Sequence, residues 1–497
     1  MKLDLSPQDA WQPLPASAWN EDAARHLLRR AGWAAQPPEV DRLVKDGLAA
    51  SLDRLFPVKA NLLPKPRLIA NYEAAAPAYI EKIKAADTRE QKQVLQREQR
   101  ERQQQALQDL SIKWLQFASR PENAAQEKWV LFLSDIYVTS QEKVNNTSIV
   151  YRHQDTIRQN SLGAAPVLTK AISRSPAMVR FLDLQDSKKN APNENFAREL
   201  FELFVLGEGN YTEQDIKEAA RAFTGYRLRQ EEFYFAPAQH DAGAKTVFGK
   251  TGTFTGDDII DLAYAQDAAG RFVPHEMVKF YLSEDMLSQD YLSPLGQWWT
   301  ATGYDLRKLA QRFFGSRLFF RPEFRGNYIK SPVQFYVGLV QDLNINVPPY
   351  PRYSLGTLRL MGEELFRPPN VRGWVGGRLW INSSTLSARR QLVETLFTPV
   401  NEDNLNADEQ VEIVAARAQG IGVFTVNEDR LEKMVQSMTP DQITTRFLDY
   451  FLPVKVSEGF RESVRSFLTG EPDPAKRLAR LRNTAVTLLQ SPEYQLC

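Results

Sequence analysis

Asn193-Glu194-Asn195-Phe196-Ala197-Arg198-Glu199-Leu200-Phe201-Glu202-Leu203-Phe204 decides the fold class. Charged and amide side chains crowd this stretch, yet Phe196, Leu200, Leu203 and Phe204 recur at i, i+4, i+7 and i+8, one apolar helical face. Asn193 is a good N-cap, Glu194 suits the first turn, and Gly207 and Gly209 can end the helix. Thr212 with Asp215 three residues later resembles a capping box for a further helix that runs to Phe223.

The same punctuation recurs outward from this centre. Asn20 caps a helix with acidic Glu21 and Asp22 in its first turn and Gly32 as its stop. Residues 87–118 read as one long helix whose first half, 88–108, is almost entirely Arg, Glu, Gln and Lys, a solvated arm. Glu127 to Tyr137 is strongly apolar, as a buried helix would be. Between Tyr226 and Gly256 the pattern turns β-prone, with Phe233-Tyr234-Phe235 and Thr246-Val247-Phe248 separated and followed by Gly-rich turns. The expected fold is therefore mainly α: a large irregular multi-helix body carrying a small β-hairpin or sheet around residues 226–256. Its expected segments are 1–86 (helical), 87–118 (charged arm), 119–400 (core) and 401–497 (helical), taken as one continuous body.

Composition narrows the chemistry. A balance of 62 Lys+Arg against 61 Asp+Glu provides no global field for nucleic acid. The single cysteine, Cys497, excludes an internal disulfide and a thiolate zinc site in the body of the chain. Four histidines (His26, His153, His240 and His275) make carboxylate ligation the better mode if a metal binds. Residues 1–20 lack a basic start followed by an apolar run, and no stretch reaches the ~18 apolar residues that span a bilayer. No signal peptide is read, and a cytoplasmic protein is expected.

Within the central helix Asn195, Glu199 and Glu202 fall at i, i+4 and i+7, on one side. Glu199 and Glu202 can hold Mg²⁺ or Ca²⁺ with Asn195 adding an amide oxygen, or divide acid and base work. Glu194–Arg198 and Arg198–Glu202 are equally readable as a plain i,i+4 ladder, which leaves Asn195 and Glu199 unexplained. His240-Asp241 with Lys245 four residues on suits a base or metal ligand beside an anion-holding lysine; a solvated Asp-Ala-Gly turn is the alternative. Gly243 to Thr251 fails as a P-loop, because five residues rather than four precede Gly249-Lys250-Thr251 and the chain continues as strand. Arg372 and Trp374 stand in the stiff segment Arg367-Pro368-Pro369-Asn370-Val371-Arg372-Gly373-Trp374, where Trp374 and Trp380 can stack on a sugar or on a partner's side chain; packing of that loop against the body is the commoner explanation.

These motifs together resemble the bacterial domain-of-unknown-function 1800 family. The resemblance runs through Ala24-Arg25-His26-Leu27-Leu28-Arg29-Arg30-Ala31-Gly32-Trp33, Pro192 to Gly207, Tyr211 to Asp215, Ala220 to Tyr226, His240-Asp241, Lys245 and Gly249. Lys330-Ser331-Pro332, Arg367 to Trp374, Trp380-Ile381-Asn382 and Ser491-Pro492-Glu493-Tyr494 continue it. Where many relatives show Trp-His-x-His-Phe, this chain reads Leu133-Ser134-Asp135-Ile136-Tyr137, so any role of those histidines is lost here. The resemblance implies a mostly helical fold and often a gene neighbour similar to a sulfatase or alkaline phosphatase, with no settled reaction. The function expected is an enzyme for an anionic or carbohydrate-type substrate. Glu199, Glu202, His240 and Asp241 would be catalytic, Glu199, Glu202 and Asp241 would take a divalent cation, and Asn195, Arg198, Lys245, Arg372 and Trp374 would bind substrate. The alternative is a helical scaffold or maturation partner of that sulfatase- or phosphatase-like neighbour.

Overall fold

A computed structural model describes residues 4–497 apart from 400, 427, 470 and 472. Helices build it; the only strands among the described residues form two two-stranded antiparallel sheets. The elements that place the site are α1 (Glu21–Ala31), α2 (Arg67–Ala85), α3 (Arg89–Ala118), α4 (Pro121–Ile136), α5 (Thr147–Asn160), α6 (Asn195–Glu199) and α7 (Glu213–Ala222). After the strands β1 (Tyr226–Arg229), β2 (Glu232–Phe235), β3 (Lys245–Val247) and β4 (Lys250–Gly252) come α8 (Ala269–Tyr281), α9 (Pro332–Asp342) and α10 (Ser383–Leu396).

Helix starts follow the capping chemistry. Asn20 accepts from the Ala23 amide, and Thr88–Gln91 and Thr212–Asp215 form reciprocal capping boxes. The apolar α4 lies at the centre, in contact with α1, α3 and α5. Its Glu127 is fully buried, held by Arg158 of α5 (two contacts of 2.8 Å) and by the Trp114 indole of α3 at 2.8 Å. One hydrophobic cluster runs from Ala10 to Tyr494 and draws on helices throughout the chain. No helix among the described residues is long and apolar enough to cross a membrane.

Three expectations are refined. The charged arm is not free: α2 packs along α3, where the Gln103 amide donates to the Tyr72 hydroxyl at 2.9 Å. The β-prone segments do not pair with each other. Phe233–Phe235 belongs to the β1–β2 hairpin and Thr246–Val247 to the β3–β4 hairpin, because each segment finds its partner across the nearest turn. The central helix is also not continuous. After α6 it widens into a π-helical segment, Leu200–Val205, in which the Leu206 amide donates to the Phe201 carbonyl five residues back.

Candidate functional site

The π-helical turn redistributes the charges of the central segment. Arg198 does not reach Glu202; it takes both oxygens of Glu213 at 2.8 Å, with Glu194 at 3.4 Å. Glu202 instead accepts from the Tyr211 hydroxyl at 2.8 Å and from Arg372 at 2.6 Å, and Arg372 also touches Glu208 at 3.2 Å. Glu199 is half-buried, and burial, then the neighbouring Glu202 charge, raises its carboxyl against the pull of Arg372 and Arg198. Asn195 is exposed, its amide donating to the Asn193 side chain at 2.9 Å.

His240, Asp241 and Lys245 form a separate network around α7. Asp241 accepts from Arg221 at 2.7 Å, which holds its carboxyl below the usual range, while His240 Nδ1 lies 2.9 Å from the Thr224 carbonyl. Lys245 donates to the Asp241 and Gly243 carbonyls at 2.6 and 3.0 Å. None of the three lines the cavities onto which Glu202 and Arg372 open. Among the described residues no three His, Cys, Asp or Glu side chains stand close enough to share a metal ion. The expected set of Glu199, Glu202 and Asp241 is therefore not assembled, since arginines occupy Glu202 and Asp241.

The convergence lies beside Glu202, in a cleft of two adjoining cavities of about 280 and 660 Å³ that share Asp135, Ile136, Glu276, Lys279 and Arg372. The smaller cavity is walled by segments that carry the family resemblance, at Trp33, Ser331, Trp374 and Trp380, and by Asp135, where the chain departs from it. Each wall has a local cause. Lys128, Phe132 and Asp135 recur at i, i+4 and i+7 on α4, while Glu276, Lys279 and Phe280 do so at i, i+3 and i+4 on α8. Glu363 sits on the first turn of α9, accepting from the Val333 amide at 2.9 Å. The Arg367–Trp380 loop reaches α4 at Gly373, whose φ of +77° and missing side chain let the backbone pass Asp135; a Cβ there would fall 1.9 Å from Asp135 Oδ1.

Burial dominates the electrostatics of these walls. It pushes the Asp135 carboxyl up to about 7, against the Trp374 amide at 3.4 Å, and the Glu363 carboxyl up to about 7. It brings the Lys128 amine down to about 7. Two acids near neutrality thus share a cavity with three tryptophans (Trp33, Trp374 and Trp380) and two lysines (Lys128 and Lys279). Larger grooves of about 1150 and 1230 Å³ flank α2 and α3; burial raises Tyr72, Tyr79 and Asp109 in their linings, while the burial of Glu73 is outweighed by Lys65 and Ser148, which lower it.

Of the expected residues, Glu202, Arg372 and Trp374 meet at this cleft. Lys128, Asp135 and Glu363 were not anticipated. Only a weak signal existed for the first two: charged side chains at either end of the apolar run Trp129 to Leu133. Glu363 carried none, because its role depends on a distant helix start. Two histidines are core residues, His26 on the Phe319 carbonyl and His153 between Ser175 and the Tyr137 carbonyl, with burial holding His153 down at about 4.

The chain belongs to the family described as Protein of unknown function (DUF1800), whose model matches residues 26–496 of 497. No curated protein and no solved structure matches it.

Proposed function

We propose that the cleft is the acid–base site of an enzyme acting on a carbohydrate-type ligand. The observation that carries this reading is the pairing of Asp135 and Glu363, both kept near neutrality by burial, with Trp374 and Trp380 in one cavity. Carboxyls poised near pH 7 can give and take protons at working pH, and indole faces suit the C–H faces of a sugar ring. Arg372 and Lys279, at the junction of the two cavities, suit an anionic substituent such as a uronate or sulfate ester. Glu202 holds Arg372 in that position, and with it Glu199 and Tyr211 act as supports of the arginine.

The test is a panel of neutral and acidic oligosaccharides scored by thermal shift and product analysis. At least one should raise Tm in the wild type, fail to do so in Trp374→Ala, and bind Asp135→Asn without being turned over. If no saccharide shifts Tm, or if Trp374→Ala and Asp135→Asn leave binding and turnover unchanged, the enzyme reading fails. The scaffold alternative, a helical partner for a sulfatase- or phosphatase-like protein, then stands.

A further inference from the structure

Of the four lysines and arginines that line the cleft, three are committed to protein groups. Arg372 pairs with Glu202 and Glu208, Lys279 with Glu276 at 3.4 Å, and Lys128 donates to the Gly32 carbonyl at 2.9 Å. Arg271, on the wall of the larger cavity, is the fourth. Among the described residues its guanidinium meets no carboxylate within ion-pair distance and no hydrogen-bond acceptor. Asp267, exposed and four residues earlier, offers the usual helical partner and is not taken. Arg271 as a residue is half-buried, yet its three guanidinium nitrogens are not sealed off: each keeps surface open to solvent.

Helix packing fixes the stem of this arginine. α8 and the helix Gln289–Ala301 meet backbone to backbone at Gly270 and Gly296. A Cβ on Gly296 would fall 2.7 Å from the Gly270 carbonyl oxygen and 3.2 Å from Arg271 Cγ, so the bare glycine makes room for the arginine to start. Gln289 and Ser293 of that second helix line the same cavity, and the half-buried Phe272 adds a ring. A guanidinium fork takes a planar oxyanion through two parallel hydrogen bonds, and an uncommitted one keeps all its donors for a ligand. Spacing along α8 sets the reach. Arg271, His275 and Lys279 recur at i, i+4 and i+8 on one face, which puts Arg271 roughly 12 Å from Lys279 by helical rise. Lys279 stands at the junction with the tryptophan-lined cavity. A ligand that spans from Trp374 to Arg271 is therefore longer than one sugar ring, and the larger cavity, about 660 Å³, has room for it.

We propose that the larger cavity is a charge-selecting subsite, in which Arg271 takes the carboxylate or sulfate ester of a sugar unit beyond the one held by Trp374 and Trp380. This rests on the cleft being a saccharide site, and it narrows the substrate class to acidic oligosaccharides of two or more units. The carboxylates in the same walls do not oppose it, because Arg372 answers Glu202 and Glu208 while Lys279 answers Glu276. Arg271 is the cation left for the ligand.

Isothermal titration calorimetry of the full-length protein tests this with short galacturonate, glucuronate and sulfated-galactan oligosaccharides, each beside its carboxyl-reduced or desulfated counterpart. At least one acidic member should bind the wild type roughly tenfold tighter than its neutral counterpart, and Arg271→Gln should bring the two within about twofold. Tm without ligand should stay unchanged in that variant, since the guanidinium has no described protein partner. Arg271→Lys, which keeps the charge but not the fork, should recover only part of the preference. Whether the uronate or the sulfated pair responds identifies the oxyanion. A charge preference that survives Arg271→Gln undiminished, or no preference in the wild type, would overturn the proposal. Trp374→Ala reads the parent proposal independently. Binding lost in Trp374→Ala with the preference intact in Arg271→Gln rejects the subsite alone. A preference lost in Arg271→Gln with binding untouched in Trp374→Ala rejects the sugar reading of the smaller cavity alone, and no binding by any member rejects both.

Discussion

Asp135 shows most clearly what one residue contributes. An ordinary aspartate ionises near 3.9, but this one is held at about 7 by burial. Between those values the folded protein keeps a proton that the unfolded chain has released. The native state therefore binds more protons, and stability falls as pH rises through this window, levelling off above about 7. Asp135→Asn removes this penalty. Its Tm should exceed that of the wild type by roughly 2–4 °C at pH 8 and by clearly less at pH 4, as differential scanning calorimetry would record. Equal differences at the two pH values would mean that Asp135 is ionised throughout. The residue was hard to pick out in the sequence because the surrounding run, Trp129 to Ile136, reads as core, and its polar pair Ser134-Asp135 looks like an imperfection at the end of it. Arg372 and Trp374 were legible as candidates, since a stiff Pro-Pro segment with two arginines and an indole suits a ligand, although packing against the body also reads from the same residues.

At the scale of elements, capping residues and apolar periodicity made most helices readable: Asn20, Thr88 and Thr212 cap as their side chains dictate. The π-helical segment was not readable. Within it Phe201 and Phe204 are buried and Glu202 meets Tyr211 and Arg372, and neither the tertiary packing nor the contact with Arg372 can be read from local sequence. Strand pairing was half readable, since β-propensity marked the segments while the turns selected the partners. Two variants test how elements hold the cleft. Glu127→Ala strands the buried Arg158 guanidinium between α4 and α5, and urea unfolding should show a loss of about 3–5 kcal/mol; a loss under 1 kcal/mol would refute the part assigned to this pair. Gly373→Ala forces the loop away from Asp135. Affinity for any cleft ligand should drop tenfold or more with helix content intact, and unchanged affinity would show that the close approach is dispensable.

For the whole molecule, the continuity of the core is the organising fact. The last residues back the cleft: the Tyr494 hydroxyl donates to Asp342 at 2.7 Å, its ring lies 3.5 Å from Lys330 Nζ, and the Cys497 amide donates to the Tyr328 carbonyl at 2.9 Å. Removing residues 401–497 should therefore abolish cooperative unfolding of the remainder, whereas a sharp transition in the truncated chain would establish an independent unit. Distant segments were legible one by one; their meeting at one cavity was not, because sequence order gives no distance between Trp33, Asp135, Glu363 and Trp374. The most direct measurement is an NMR titration of the tryptophan indole resonances with the saccharide that raises Tm most. Trp374 and Trp380 should shift and saturate together, while Trp114, engaged by Glu127 in the core, stays still. Perturbation confined to indoles other than Trp33, Trp374 and Trp380, or none at saturating ligand, would contradict a carbohydrate site in this cleft.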